Sequence, residues 1–170
     1  MPSPHQQLVA DAATDVETRV RHLWRQVVTG NLDRDEFTAL ATTLIAGGNA
    51  RSAALADLGV AVSLEDAPVG LTAGDFSLDE DRLARALATA ISDDTVDIDA
   101  RLGLLARSEA LRTAQDTMTG ALEAHDASWI RVPDSSPCPL CTKWADGKRR
   151  SWKTRMARHT GCTCLQQAVR

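Results

Sequence analysis

Four cysteines and a histidine gather in one short stretch, as Cys138-Pro139-Leu140-Cys141 and then, after a basic linker, His159-Thr160-Gly161-Cys162-Thr163-Cys164. A C-x2-C pair combined with H-x2-C-x-C has the spacing of a metal knuckle. The two-residue spacer lets one tight turn aim both sulfurs at a single ion, and thiolate with imidazole suits a borderline-soft cation of tetrahedral preference. Zinc is the commonest occupant of such sites, so structural Zn2+ is the expected cofactor. Five candidates compete for four positions. Cys138, Cys141 and His159 are expected to bind, with either Cys162 or Cys164 as the fourth ligand; an all-cysteine site with His159 supporting it from outside also fits the spacing. A catalytic zinc keeps an open position and usually a general base nearby, and Asp146 is the only acid between the two ligand pairs.

Other uses of the same cysteines are weaker. Two disulfides need an oxidising compartment, and a thioredoxin-like role needs a strand-to-helix context that the pattern lacks. No run joins basic residues to a long apolar stretch, so neither a signal peptide nor a membrane span is expected, and synthesis in a cytoplasm is.

Between the ligand pairs runs "GKRRSWKTRMAR". Metal binding would close it into a loop that projects Lys148, Arg149, Arg150, Lys153, Arg155 and Arg158, with Trp152 interleaved. Such a surface suits nucleic acid or another anionic partner, where charge supplies affinity and an aromatic stacks on a base. The alternative is a basic face docked on an acidic neighbour, including the body of this protein. From Trp129 onward nine Lys/Arg face two Asp, a balance of +7, which leaves −11 for the remainder of a chain whose net charge is −4.

Length and composition set what must position these residues. In 170 residues aromatics make up only 4% and tyrosine is missing, while Ala, Leu and Val dominate, which favours an all-α fold. We expect a helical body of about four helices over residues 1–128 and a small zinc-knuckle-like Cys/His module, basic and stapled by the metal, over 129–170. Leu8, Val9, Ala12, Val16, Val20, Leu23, Trp24 and Val27 place one apolar stripe on a first helix, which Gly30 and Asn31 end. Asp33 and Glu36 open a second with capping-box spacing, followed by Phe37, Leu40, Ala41, Leu44 and Ile45. Gly47-Gly48 predicts a kink or break, after which Ala50, Ala53, Ala54 and Leu58 would admit a close neighbour. Gly59 to Ser77 reads as a long loop, and Ser77 with Glu80 as a capping box for a short helix carrying Leu83, Leu87 and Ile91. After "SDDT" the longest helix runs from about Asp97 to His125, bearing Leu102, Leu105, Leu111, Met118 and Leu122. Trp129, Ile130 and Val132 alternate as a short strand stopped by Pro133. The tail beyond is too polar for a core of its own and needs a metal, a disulfide or a larger body.

The remaining candidates read as structural. His5, His22 and His125 are isolated, Trp24 belongs to the core, and Glu109 beside Arg107 and Arg112 reads as a solvated charge pattern on a helix surface. No phosphate-cradling loop, nucleophile elbow or carboxylate pair occurs, so no enzyme is expected.

A long helix leading into "WIRV", then C-x2-C, a basic linker and H-x2-C-x-C, resembles the F-like minor head proteins of Mu-type tailed phages. "HLWRQVVTGNLDRDEFTALATTLIAGGNARSAALADLGV" is similar to their actinobacteriophage relatives. Where many relatives have an Arg-Gly pair and then an aromatic, this chain has Asp146-Gly147 and then Trp152. The resemblance implies metal ligation by Cys138, Cys141 and His159 with Cys162 or Cys164. It also implies a minor capsid protein of few copies in the virion, inside the capsid near the portal, that serves head assembly and genome packaging or delivery. Its implied partners are the portal protein, the major capsid protein and packaged DNA, with no membrane. The alternative is a free nucleic-acid-binding regulator built on the same zinc module.

Overall fold

Helix α1, Pro4–Val28, starts where the Ser3 hydroxyl accepts the Gln6 N–H and Pro4 presets the first turn. The computed structural model describes residues 3–76, 79–92, 97–134 and 136–170. Val9, Ala13, Val16, Val20 and Trp24 form the buried stripe of α1, and Gly30 at φ 75° turns the chain out of it. Leu8 was expected on that stripe but is 50% exposed, because it falls beside the row set by Val9 and Val16.

Helix α2, Arg34–Leu64, opens on the expected capping box: Glu36 N–H donates to Asp33 Oδ1 at 2.8 Å, and Asp33 N–H donates to Glu36 Oε2 at 3.0 Å. It does not break at Gly47-Gly48. Gly48 lies where α1 crosses: a Cβ there would stand 2.2 Å from Val16 Cγ2. Continuity also fixes which small residues face the neighbour. Of the four expected for close approach only Ala53 is buried; the inward residues include Ala41, Gly48, Ser52, Ala56 and Gly59. Gly59 likewise is a contact point and not the start of a loop, since its Cβ position falls 2.1 Å from the His5 ring. The loop begins only after Glu65, in left-handed conformation at φ 53°. Asp57, 3% exposed, gathers that loop by accepting the N–H groups of Val69, Gly70 and Leu71. A 3-10 turn, Ala73–Phe76, follows.

Helix α3, Glu80–Ile91, is capped by Asp79, whose carboxylate accepts the Arg82 N–H at 2.8 Å. Ser77, the expected cap, and most of the "SDDT" interruption lie outside the described residues. Leu83, Leu87 and Ile91 are buried as their spacing requires. Helix α4, Ile98–Ala124, is capped by Asp97. Glu109 is not a solvated surface charge: it is 8% exposed and takes both Arg82 guanidinium nitrogens at 3.1 and 2.5 Å, pinning α3 to α4. Its partner lies twenty-seven residues away in sequence, beyond the reach of helix-neighbour patterning.

Asp126 at φ 46° turns the chain into β1, Ser128–Val132. Strand β2, Arg150–Ser151, and strand β3, Leu165–Val169, flank it antiparallel in the order β2-β1-β3, with Trp129 opposite Ala168 and Val132 opposite Leu165. Only β1 was legible beforehand. The fold is therefore mostly helical, with a small sheet at its carboxyl end. One buried cluster joins Val20, Trp24, Phe37, Ile45, Leu83, Leu87 and Leu102. The other joins Val9, Val60, Leu111, Met118 and Leu122 to Trp129, Met156, Leu165 and Ala168 of the tail. Among the described residues no helix is long and apolar enough to cross a membrane.

The two adjacent glycines of α2 should respond oppositely to one methyl group. Gly48→Ala should destabilise by about 1–3 kcal/mol through overpacking. Gly47→Ala, with nothing within 4 Å of its Cβ position, should stabilise by up to about 1 kcal/mol through helix propensity. Urea unfolding of the two variants checks the sign of each.

Candidate metal centre

The first ligand turn is a helix start. Cys138 occupies the N-cap of a one-turn helix α5, Pro139–Trp144, and its Sγ accepts the Cys141 N–H at 3.4 Å while Pro139 fills the first helical position. That geometry brings the Cys138 and Cys141 sulfurs to one side. The second turn closes where Cys162 N–H donates to the His159 carbonyl at 3.1 Å, with Gly161 at φ 74° supplying the reversal.

Folding brings the two turns together. His159 Nε2 lies 3.2 Å from Cys138 Sγ and 3.1 Å from Cys141 Sγ, and Cys141 Sγ lies 3.5 Å from Cys162 Sγ. Two triangles result, Cys138–Cys141–His159 and Cys141–Cys162–Cys164, with every donor atom in each within 4.8 Å of the others. They share Cys141. Metal–sulfur bonds of about 2.3 Å around a tetrahedral ion place neighbouring sulfurs about 3.8 Å apart; the Cys141–Cys162 approach of 3.5 Å is close to that edge, and the two sulfur–nitrogen approaches are shorter. All four cysteines are free thiols, which sets aside the disulfide reading. Cys141, Cys162 and Cys164 are buried, whereas Cys138 is half-buried and His159 exposed. His159 Nδ1 lies 3.0 Å from the Thr160 carbonyl. A proton held there leaves the Nε2 lone pair facing the sulfurs, the tautomer a metal needs. The donor set fits a soft or borderline-soft cation.

The thiols do not ionise alike. Cys162 is pulled from the ordinary 9.0 down to about 5, first by its hydrogen bond with Cys164 and then by Cys141 and the charge of His159, against the opposing effect of burial. Cys164 is pushed up by the same bond and by burial, so of this pair Cys162 ionises first. Burial pushes Cys141 up to about 11. Cys138 is lowered, chiefly by the Cys141 N–H, and His159 is raised, chiefly by its bond to the Thr160 carbonyl.

Two buried glutamines fasten this region to the helices. Gln115 of α4, 3% exposed, donates its carboxamide N–H groups to the Cys162 and Cys164 carbonyls at 3.1 and 3.0 Å. Gln6 of α1, 2% exposed, donates in the same way to Val132 and Thr163 at 3.2 Å each. Sequence reasoning missed both. The signal was present for Gln115, a polar residue spaced four from Leu111 and three from Met118 on the inward stripe. Arg131 was missed too. It is 5% exposed in β1, donates to the Ala157 carbonyl, approaches Cys141 Sγ at 4.0 Å and lies 5.0 Å over the Trp144 ring. Strand alternation puts it two residues from buried Trp129.

The basic loop is partly neutralised from within. Arg150 pairs with Asp146 at 2.8 Å and lies over Trp129, Lys148 reaches Asp146 at 3.9 Å, and Arg158 pairs with Asp116 of α4 at 2.8 Å. Trp152 packs against the second core cluster and donates Nε1–H to Asp126 at 2.9 Å, with Lys153 above its ring. Lys148, Arg149, Lys153 and Arg155 are exposed. Comparison with protein-family models, curated proteins and solved structures finds no match to this chain.

Because the folded pKa of Cys162 is depressed, its ionisation supports the metal-free fold fully above pH 9 and loses that support as pH falls through about 5. Ultraviolet thiolate absorbance of the reduced, metal-free chain should show one cysteine titrating near pH 5. Cys162→Ser should remove that step.

Proposed function

We propose that residues 138–164 hold one structural zinc ion, ligated by Cys138, Cys141 and His159, with Cys162 or Cys164 as the fourth ligand. The observation that carries this reading is the convergence at Cys141 of sulfur and imidazole donors from two turns some twenty residues apart, at 3.1 and 3.5 Å. Four protein donors, with Cys141, Cys162 and Cys164 buried, favour an ion enclosed by protein ligands over one that keeps a position open for substrate. The protein then does no chemistry of its own.

On this basis, and on the resemblance of its motifs, we propose a non-enzymatic minor capsid protein of a tailed phage. It sits in the capsid interior near the portal, contacts the portal protein or the major capsid protein, and supports head assembly and genome packaging or delivery. The zinc gives its basic tail one shape. Lys148, Arg149, Lys153 and Arg155, all exposed on the segment between the ligand turns, then offer positive charge to packaged DNA. The free-regulator alternative is disfavoured by α5, which at six residues is too short to serve as a recognition helix beside the knuckle.

Natively purified chain should contain one zinc per molecule by elemental analysis. Cys141→Ser should release it and open residues 129–170 to protease while α1 to α4 stay protected; an unchanged digestion pattern counts against the staple. The particle assignment has its own test. Purified virions should contain the chain in few copies, with density beside the portal. Absence from particles, together with steeply salt-dependent DNA binding by the isolated chain, would instead establish the regulator.

A further inference from the structure

We propose that Arg131 is the counter-charge of the metal centre, a positioning residue that balances the thiolates and fixes Cys141; the inference rests on the metal reading above. The starting observation is a cation in the wrong place. Arg131 is 5% exposed on the central strand of the sheet. Among the described residues no carboxylate reaches it: its neighbours are the Ala157 carbonyl, the Trp144 ring at 5.0 Å and Cys141 Sγ at 4.0 Å. A buried guanidinium held only by neutral groups is costly, and such charges persist in proteins when an anion answers them. The sulfur of Cys141 is the group in reach able to become that anion.

The charge count agrees. A divalent ion with three thiolates and one neutral imidazole leaves a single negative charge, which one guanidinium cancels. Four thiolates would leave two. Arg131 thus favours the mixed Cys3His set over the all-cysteine one, and a divalent over a monovalent ion. Its contacts also tie the centre's surroundings together. The Ala157 carbonyl belongs to the segment leading into His159, and Trp144 ends the helix that carries Cys141. One side chain therefore holds both ligand turns.

Counter-charge and packing make opposite statements about the metal-free chain. If Arg131 merely fills space, Arg131→Met lowers the stability of metal-free and metal-loaded protein alike. If it answers the thiolates, the metal-free, fully reduced variant, at a pH low enough to keep all four thiols protonated, is at least as stable as the parent, because an unanswered charge has been removed. Its zinc affinity, measured by chelator competition, then falls about tenfold or more. Arg131→Lys restores much of that affinity, and the sulfur-to-cobalt charge-transfer band of the Co(II)-loaded Met variant shifts while that of the Lys variant stays near the parent. Equal zinc affinity in parent and Arg131→Met, or an equal stability loss in both metal states, overturns the inference and leaves the metal centre standing. A parent chain that binds neither Zn(II) nor Co(II) overturns the centre itself.

Discussion

The two ligand turns of the carboxyl-terminal region meet at the Cys141 sulfur, where the His159 imidazole, the Cys162 sulfur and the buried Arg131 guanidinium lie within 4.0 Å, and Gln115 of α4 holds the Cys162 and Cys164 carbonyls. Neutral thiols give little reason for that arrangement, because S–H groups are weak donors and weak acceptors. Each Gln115 bond to the ligand backbone contributes on the order of 1 kcal/mol net, whereas a structural ion in a small knuckle contributes on the order of ten. On that scale an ion bound by these donors would outweigh the amide bonds in holding the two ligand turns together. The amides orient the backbone, and a bound cation would hold it.

The sheet solves a separate problem. Trp129, Met156, Leu165 and Ala168 are too few to enclose a core, so they complete the one begun by Val60, Leu111, Met118 and Leu122 on α2 and α4. The tail thus has two attachments of different chemistry, apolar contact at the strands and polar latches at the ligand turn. Gln6 and Gln115 lie on separate helices, and each satisfies two carbonyls that burial would otherwise orphan. The position of the cysteines is consequently read from the helical body as much as from their own spacing.

Helix positions were legible because three- and four-residue spacing and Asp caps act locally; the Asp33–Glu36 box and the Leu83, Leu87, Ile91 row need only their neighbours. Glycine misled twice, at Gly47-Gly48 and at Gly59, since a sequence does not distinguish a glycine that bends a helix from one that admits Val16 or His5. The five candidate donors were legible as a cluster from spacing, and the fold gathers them into two groups that could hold a metal. Arg131, Gln6, Gln115 and the Arg82–Glu109 pair were not. Their roles depend on partners many residues away, and local pattern assigns a charged or amide side chain to solvent by default.

The charge split between body and tail illustrates the same limit in electrostatics. Taken as a sum it suggests a wholly cationic lobe offered to an outside partner. The fold closes part of that field internally, through Arg158 to Asp116, Arg150 to Asp146 and Arg170 to Asp66 at 3.6 Å, and it commits Trp152 to Asp126. Exposed ion pairs of this kind add little stability, but they redirect charge. What remains outward between the ligand turns includes Lys143, Lys148, Arg149, Lys153 and Arg155. A cation at Cys141 would therefore act on this charge at a distance, by fixing the two ends of the loop that presents those side chains.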